Sequence, residues 1–300
     1  MKKTEKNNRI VWIIGVVLLW YVLIFSTIEF FVFNKWTIET VGLGGLSDGM
    51  LFIIEMYLST IIGFLGIIVY TAVTKRNRFV LRSFLPGHAN NSFGMLLKGL
   101  LVGFVMNFGC IICALVHGDI KLYLEFAVSQ IPLLLFALVC VFIQSTTEEL
   151  WCRGFMYERI NVHYPLWVAI VVNGLFFAGM HVFNEGASFL PIFDIAICGL
   201  SFSLAKWYTG SIWFPMGIHT AWNFTQNFLF GLPNSGLVSE CSVFTLDAAN
   251  ARTNLIYSAS FGVEGAIPAV VADLILGLAC LILAAKNGRL KELTMKREDL

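Results

Sequence analysis

The sequence predicts an all-α, polytopic membrane protein of about eight transmembrane helices with a membrane-buried active site, and three observations carry that prediction. Of its 300 residues 58% are hydrophobic and only 13% charged, and the mean hydropathy is +0.79. Apolar windows of the ~20 residues needed to cross a bilayer recur along the whole chain. Third, Glu148, Glu149 and Arg153 close a long apolar run that opens near Leu122. Ionisable groups at such depth are costly, which makes them a functional-site hypothesis by default. The net charge of +1 arises from charges at window ends rather than on one basic face, which excludes nucleic acid as a partner and leaves the lipid bilayer.

The windows lie at 10–33, 50–73, 93–116, 122–148, 165–183, 189–207, 212–230 and 266–285. The first follows the basic segment Met1 to Arg9 and is longer than the apolar core of a cleavable signal peptide, so it stays as a span. An even number of spans puts both termini on one side. That side receives Lys2, Lys3, Lys6 and Arg9, then Lys75, Arg76, Arg78 and Arg82, then Arg153 and Arg159, and finally Lys286, Arg289, Lys291, Lys296 and Arg297. The opposite connections carry Asp48, Asp119, Glu185, Glu240 and Asp247 with few bases, so the positive-inside rule sets both termini in the cytoplasm. The polar stretch 231–265, rich in Gly, Ser, Asn and Ala, falls outside on this topology and reads as a plain connector rather than a lid. Without an internal repeat or Pro-rich linker, the chain divides into motif-free N-terminal helices (1–120), a core (121–230), and an outer loop, last span and basic tail (231–300).

The seven cysteines are scattered, all but Cys241 in or beside windows, and read as small apolar residues. Cys110 and Cys113 form a C-x-x-C within an apolar helix, which implies neither a disulfide nor a zinc site. Glu29, Glu55 and Asp194 near outer window ends read as solvated helix termini, and Lys98 as a snorkelling side chain. Asp273, deep in the last window, receives no role.

On a helix Glu149 and Arg153 are four apart with the acid first, the favourable order for an ion pair, while Glu148 is turned about 100° away and left free. Phe177–His181 and His219–Asn223 repeat the four-residue spacing, so each pair shares a helix face. Glu148 lies about 21 Å before, and His181 about 27 Å after, the turn at Asn161 to Pro165; His219 lies about 14 Å beyond the turn at Thr209 and Gly210. Three helices can therefore offer polar faces to one cavity, expected near the cytoplasmic half of the bilayer. A free, partly desolvated carboxylate suits a general base for water, and His181 can share in orienting that water. His219 and Asn223 can donate hydrogen bonds to a developing oxyanion. Such a set describes hydrolysis of a peptide bond in a membrane-associated protein or peptide.

Competing chemistries lack residues. No serine sits in a G-x-S-x-G elbow, and Cys152, on the Glu148 side of its helix, has no dedicated histidine. One glutamate with two histidines is also a zinc ligand set, yet H-E-x-x-H is absent and no carboxylate is evident to orient either histidine, so neither metal nor cofactor is expected. A transporter would show paired interrupted helices in two related halves, and none is visible.

In that order on successive spans, E-E-x-x-x-R (Glu148, Glu149, Arg153), F-x-x-x-H (Phe177, His181) and H-x-x-x-N (His219, Asn223) resemble the CAAX prenyl protease 2 and bacteriocin-processing family, also called CPBP or Abi. Ser260 to Gly265, SFGVEG, is similar to a glycine-rich F-G-x-E-G segment of bacterial members. The resemblance implies an eight-helix intramembrane glutamic endopeptidase in which Glu148 and His181 activate water and His219 and Asn223 hold the oxyanion. Glu149, Arg153 and Phe177 then support. Bacterial members are linked to bacteriocin self-immunity, so a non-catalytic protein that binds a membrane partner, such as a sensor histidine kinase, stands as the alternative.

Overall fold

The computed structural model describes residues 3–43, 45–239 and 241–297; Met1, Lys2 and Glu240, named above, lie outside them. The apolar helices, in chain order, are α1 (Arg9–Phe33), α2 (Asp48–Val73), α3 (Phe93–His117), α4 (Val128–Asn161), α5 (Leu166–Met180), α6 (Phe189–Thr209), α7 (Trp213–Phe224) and α8 (Ile267–Lys286). Six of them are long and apolar enough to cross a membrane. The exceptions are α5, of 15 residues, and α7, of 12, which wider turns extend to Leu229. The all-α polytopic fold stands, but the expected eight full spans become six with two shorter helices among them. The α5 window was lengthened by Val182 and Phe183 beyond the helix end, and the α7 window ran on through the wider turns that follow Phe224.

Local signals set the helix starts. Ser47 and Ser92 accept the backbone N–H groups of Met50 and Met95 at 3.3 and 3.2 Å, capping α2 and α3. Packing of α3 on α7 is close because Gly99 and Gly103, one G-x-x-x-G, lie against the backbone at Gly217 and Ile218 respectively. A Cβ at Gly99 or Gly103 would overlap the carbonyl oxygen of Phe214 or Ile218. Small residues that let backbones approach are how helices associate in lipid, and here they seat the helix that carries His219 and Asn223.

Within α4 the geometry changes directly after the acid pair. Ile131–Glu149 is α-helical, and Leu150–Met156 widens to π-helical turns. Such bulges collect at functional sites and loosen backbone hydrogen bonds. Neighbouring helices recover them: Asn173 of α5 donates to the Cys152 carbonyl, and Lys206 of α6 donates to the Arg153 carbonyl at 2.6 Å while pairing with Glu158 at 2.6 Å. Trp151, fully buried, stacks on Tyr21 at 5.5 Å and donates its indole N–H to the Gly63 carbonyl, locking α1 and α2 against the widened segment.

The stretch 231–265 is not a plain connector. Strand β1 (Leu122–Leu124) pairs antiparallel with β2 (Phe244–Leu246), tying it to the α3–α4 link. Gln226 donates to the Pro233 carbonyl at 2.6 Å, and Asn227 to those of Leu232 and Leu237. It folds back as a roof over one end of the bundle. At the other end Arg289 binds Glu292 and the carbonyls of Trp207 and Tyr208.

Candidate active site

Under that roof lies a cavity of about 120 Å³ lined by Glu148, Phe177, His181, His219 and Asn223, together with Gln144 and loop residues Asn234, Ser235 and Glu264. Every side chain that sequence reasoning named as catalytic reaches this one space. Glu149 and Arg153 stand behind it, wholly buried, with Arg153 Nη1 2.9 Å from Glu149 Oε1. The guanidinium also lies over the Phe177 ring at 4.1 Å, so Phe177 is a cation–π platform as well as a wall.

His219 bridges the two acids. Its Nδ1 is 3.1 Å from Glu149 Oε1 and its Nε2 3.7 Å from Glu148 Oε2. Glu149 thus accepts from a guanidinium and faces an imidazole with the same oxygen, a coupling that helical spacing within α4 cannot reveal. Glu148 Oε2 has no hydrogen-bond partner, while Oε1 accepts from Gln144 Nε2 at 2.7 Å. His181 ends α5, its Nδ1 2.8 Å from the Phe177 carbonyl oxygen. A carbonyl can only accept, so Nδ1 carries a proton, and in the neutral ring Nε2 is the acceptor.

A relay of amides links the two ends of the cavity. Gln144 Oε1 accepts from Asn223 Nδ2 at 3.2 Å, Asn223 Oδ1 accepts from Asn234 Nδ2 at 3.3 Å, and Asn234 Nδ2 also donates to Glu264 Oε1 at 2.8 Å. Glu264 accepts further from the Trp222 indole at 2.8 Å and from the Ser235 amide and hydroxyl. Burial raises its carboxyl above the ordinary value, with the Ser235 and Trp222 bonds opposing. Gly262, at φ 86°, turns the chain to deliver it, and a Cβ there would overlap the Pro233 carbonyl oxygen.

Three expectations change. Loop residues Asn184, Asn234, Ser235, Leu237 and Glu264 line the cavity, and they belong to connections on the opposite side of the helices from the basic clusters. Depth counted from helix turns ignored the polar roof, which reaches down to the site. Asp194 and Glu29 are not solvated helix ends: they are 2% and 9% exposed, with Glu29 accepting from the Gly63 amide and Asp194 lining the cavity with Asp273. Gln144, Asn234 and Glu264 were not singled out as site residues. Gln144, one turn before Glu148, carried the same i, i+4 signal; Asn234 carried none. Among the described residues no group of three or more His, Cys, Asp or Glu side chains is placed to hold a metal.

Fold and site together define a polytopic helical membrane protein with a buried carboxylate, histidine and amide centre. The family model for Rce1-like proteins, type II CAAX prenyl endopeptidase, matches residues 130–225, which run from the start of α4 through α7. YyaK of Bacillus subtilis (strain 168), an uncharacterized protein, is 30% identical over 218 residues, 68% of this chain and 70% of that one. The chain belongs to the Rce1-like family, a family of CAAX-type membrane proteases.

Proposed function

We propose that the protein is an intramembrane endopeptidase that hydrolyses a peptide bond of a membrane-associated protein or peptide with water activated by Glu148. The observation that carries this is the convergence of Glu148, His181, His219 and Asn223 on one buried cavity, with one oxygen of Glu148 unpartnered. Glu148 takes a proton from the attacking water and hands it to the leaving amine nitrogen as the C–N bond breaks, and His181, accepting at Nε2, helps to aim the water. His219, held by Glu149 at Nδ1, presents Nε2–H to the oxyanion when both ring nitrogens are protonated. Asn223 adds the second N–H of its amide, the first being given to Gln144. Arg153 fixes Glu149, and through it His219. The catalytic side chains all come from 121–230, while 231–300 supplies roof and wall.

By the positive-inside rule the basic end of the bundle is cytoplasmic, with both termini, so the cavity lies toward the outer leaflet. The membrane is a bacterial cell membrane, in keeping with the Bacillus relative. Profiling of new peptide termini in membranes from cells expressing the wild type, Glu148→Gln or His181→Ala tests the reading. Cut sites should appear with the wild type and vanish in both variants at equal protein level. Cut sites unchanged in both would remove the mechanism; no cut sites with any form would favour a non-catalytic immunity or scaffold protein that binds a membrane partner.

A further inference from the structure

The cavity has a polar wall that the hydrolytic set leaves unused. Asp194 of α6 and Asp273 of α8 line it, each 2% exposed, and Oδ1 of each has no hydrogen-bond partner. Among the described residues that line the cavity there is no lysine or arginine. Arg153 is given to Glu149 and the Phe177 ring, and Glu264 is already bound by Trp222, Asn234 and Ser235. Carboxyls buried in a membrane protein normally face a partner, a pathway or a ligand. Their free oxygens are acceptors, matched by a group with several N–H donors and a positive charge: a lysine ammonium or an arginine guanidinium. Ca²⁺ or Mg²⁺ would require about six oxygen ligands, more than this wall supplies.

We propose that Asp194 and Asp273 form a subsite that receives a Lys or Arg side chain of the substrate close to the bond Glu148 attacks. This rests on the hydrolytic reading for the scissile bond and deepens it by naming the substrate class: membrane-associated chains with a basic residue beside an apolar segment. The side chain's methylenes run along the apolar wall of Ile195 and Phe202, and its charged head ends between the carboxyls.

The test uses N-palmitoylated, fluorescein-labelled octapeptides of Ala and Leu in which one Lys is moved through the sequence, with norleucine at the same position as control. They are titrated by anisotropy into the full-length protein in phosphatidylcholine nanodiscs. In Glu148→Gln, which binds without cutting, the best Lys peptide should bind at least 30-fold tighter than its norleucine counterpart. That ratio should fall below threefold when Asp194→Asn and Asp273→Asn are added. Equal binding of Lys and norleucine peptides at every position overturns the subsite, and so does a preference that survives both substitutions. Should the combined variant fail to fold, the single Asp273→Asn and Asp194→Asn variants carry the comparison, and the wild-type comparison needs no variant at the subsite. Peptides that bind with the Lys preference but are never cut by the wild type remove the protease and leave the subsite standing.

Discussion

Glutamine substitution should separate the two adjacent acids by what each loses. Glu149 is fully buried, and its Oε1 serves both Arg153 Nη1 at 2.9 Å and His219 Nδ1 at 3.1 Å. Glu149→Gln leaves the shape but strands a buried guanidinium whose Nε and Nη2 already lack partners. Breaking a buried pair from one side costs about 3–5 kcal/mol. At roughly 2–4 °C per kcal/mol for a chain of this size, the melting temperature should drop by about 6–20 °C. Glu148 borders the cavity, keeps 15% of its side chain exposed and holds one strong bond, to Gln144. Glu148→Gln should therefore cost about 1 kcal/mol or less, while loss of a general base lowers turnover by about 10²–10⁴. Differential scanning fluorimetry in detergent reads the first effect and a fluorogenic peptide assay the second. A Glu149→Gln protein that melts with the wild type, or below which Glu148→Gln melts, would refute the division of labour between the two.

Gly103→Leu should separate α7 from α3 and abolish the folded yield, whereas Gly109→Leu on the same helix, with open space around it, should express normally; equal yields would contradict the backbone contact. Gln144→Met should lower kcat about tenfold or more with a melting temperature within a few degrees of the wild type, because it unties Glu148 from Asn223 without emptying the core. Glu292, outside the membrane spans, has its carboxyl held below the ordinary value by Arg289, then by the Trp207 indole. Its share of stability is present above the unfolded-state value and is lost as pH falls through the lowered folded one. Protection from hydrogen exchange at 287–297, corrected for the intrinsic rate at each pH, should thus be high at neutral pH and fall on acidification, and Glu292→Gln should be weakly protected throughout. Chelation followed by desalting should leave turnover unchanged; loss restored by zinc would transfer the activation of water from Glu148 to a metal.

What the sequence shows of this site follows from one geometric rule, the four-residue return of a helix face. That rule paired Glu149 with Arg153 and put Phe177 with His181 and His219 with Asn223, and the structure holds all six around one cavity. It could not reach between helices. That His219 touches Glu149 across 70 positions of sequence depends on Gly99 and Gly103 letting α7 close on α3, a matter of tertiary packing. Nor could it read 231–265, whose polar composition is that of any exposed loop. Asn234 and Glu264 are drawn inward by bonds that alternate between backbone and side chain without a period. Burial of Asp194 was illegible for the same reason: its distance from a helix end says nothing of the roof that covers that end.

The amide relay turns this hidden loop into part of the chemistry. Carboxylates stand at both ends, Glu148 and Glu264, and each can only accept when ionised. Gln144 must then give Nε2 to Glu148, which turns its Oε1 to Asn223. Asn223 must give Nδ2, which turns its Oδ1 to Asn234, and Asn234 has a second N–H left for Glu264. Flipping Gln144 or Asn223 would set oxygen against oxygen on one side and nitrogen against nitrogen on the other, and flipping Asn234 would set its oxygen against both Asn223 Oδ1 and Glu264 Oε1. The orientation of the Asn223 N–H groups, which the proposed oxyanion binding uses, is accordingly fixed from both ends. Asn234→Asp is the sharpest probe of that logic. It changes no volume, yet it removes the donor that both Glu264 and Asn223 Oδ1 require and allows Asn223 to flip. Turnover should fall about tenfold or more, while Asn234→Ala, which frees the same acceptors to water, should fall less. An Asp variant as active as the wild type would show that the loop covers the site without orienting it.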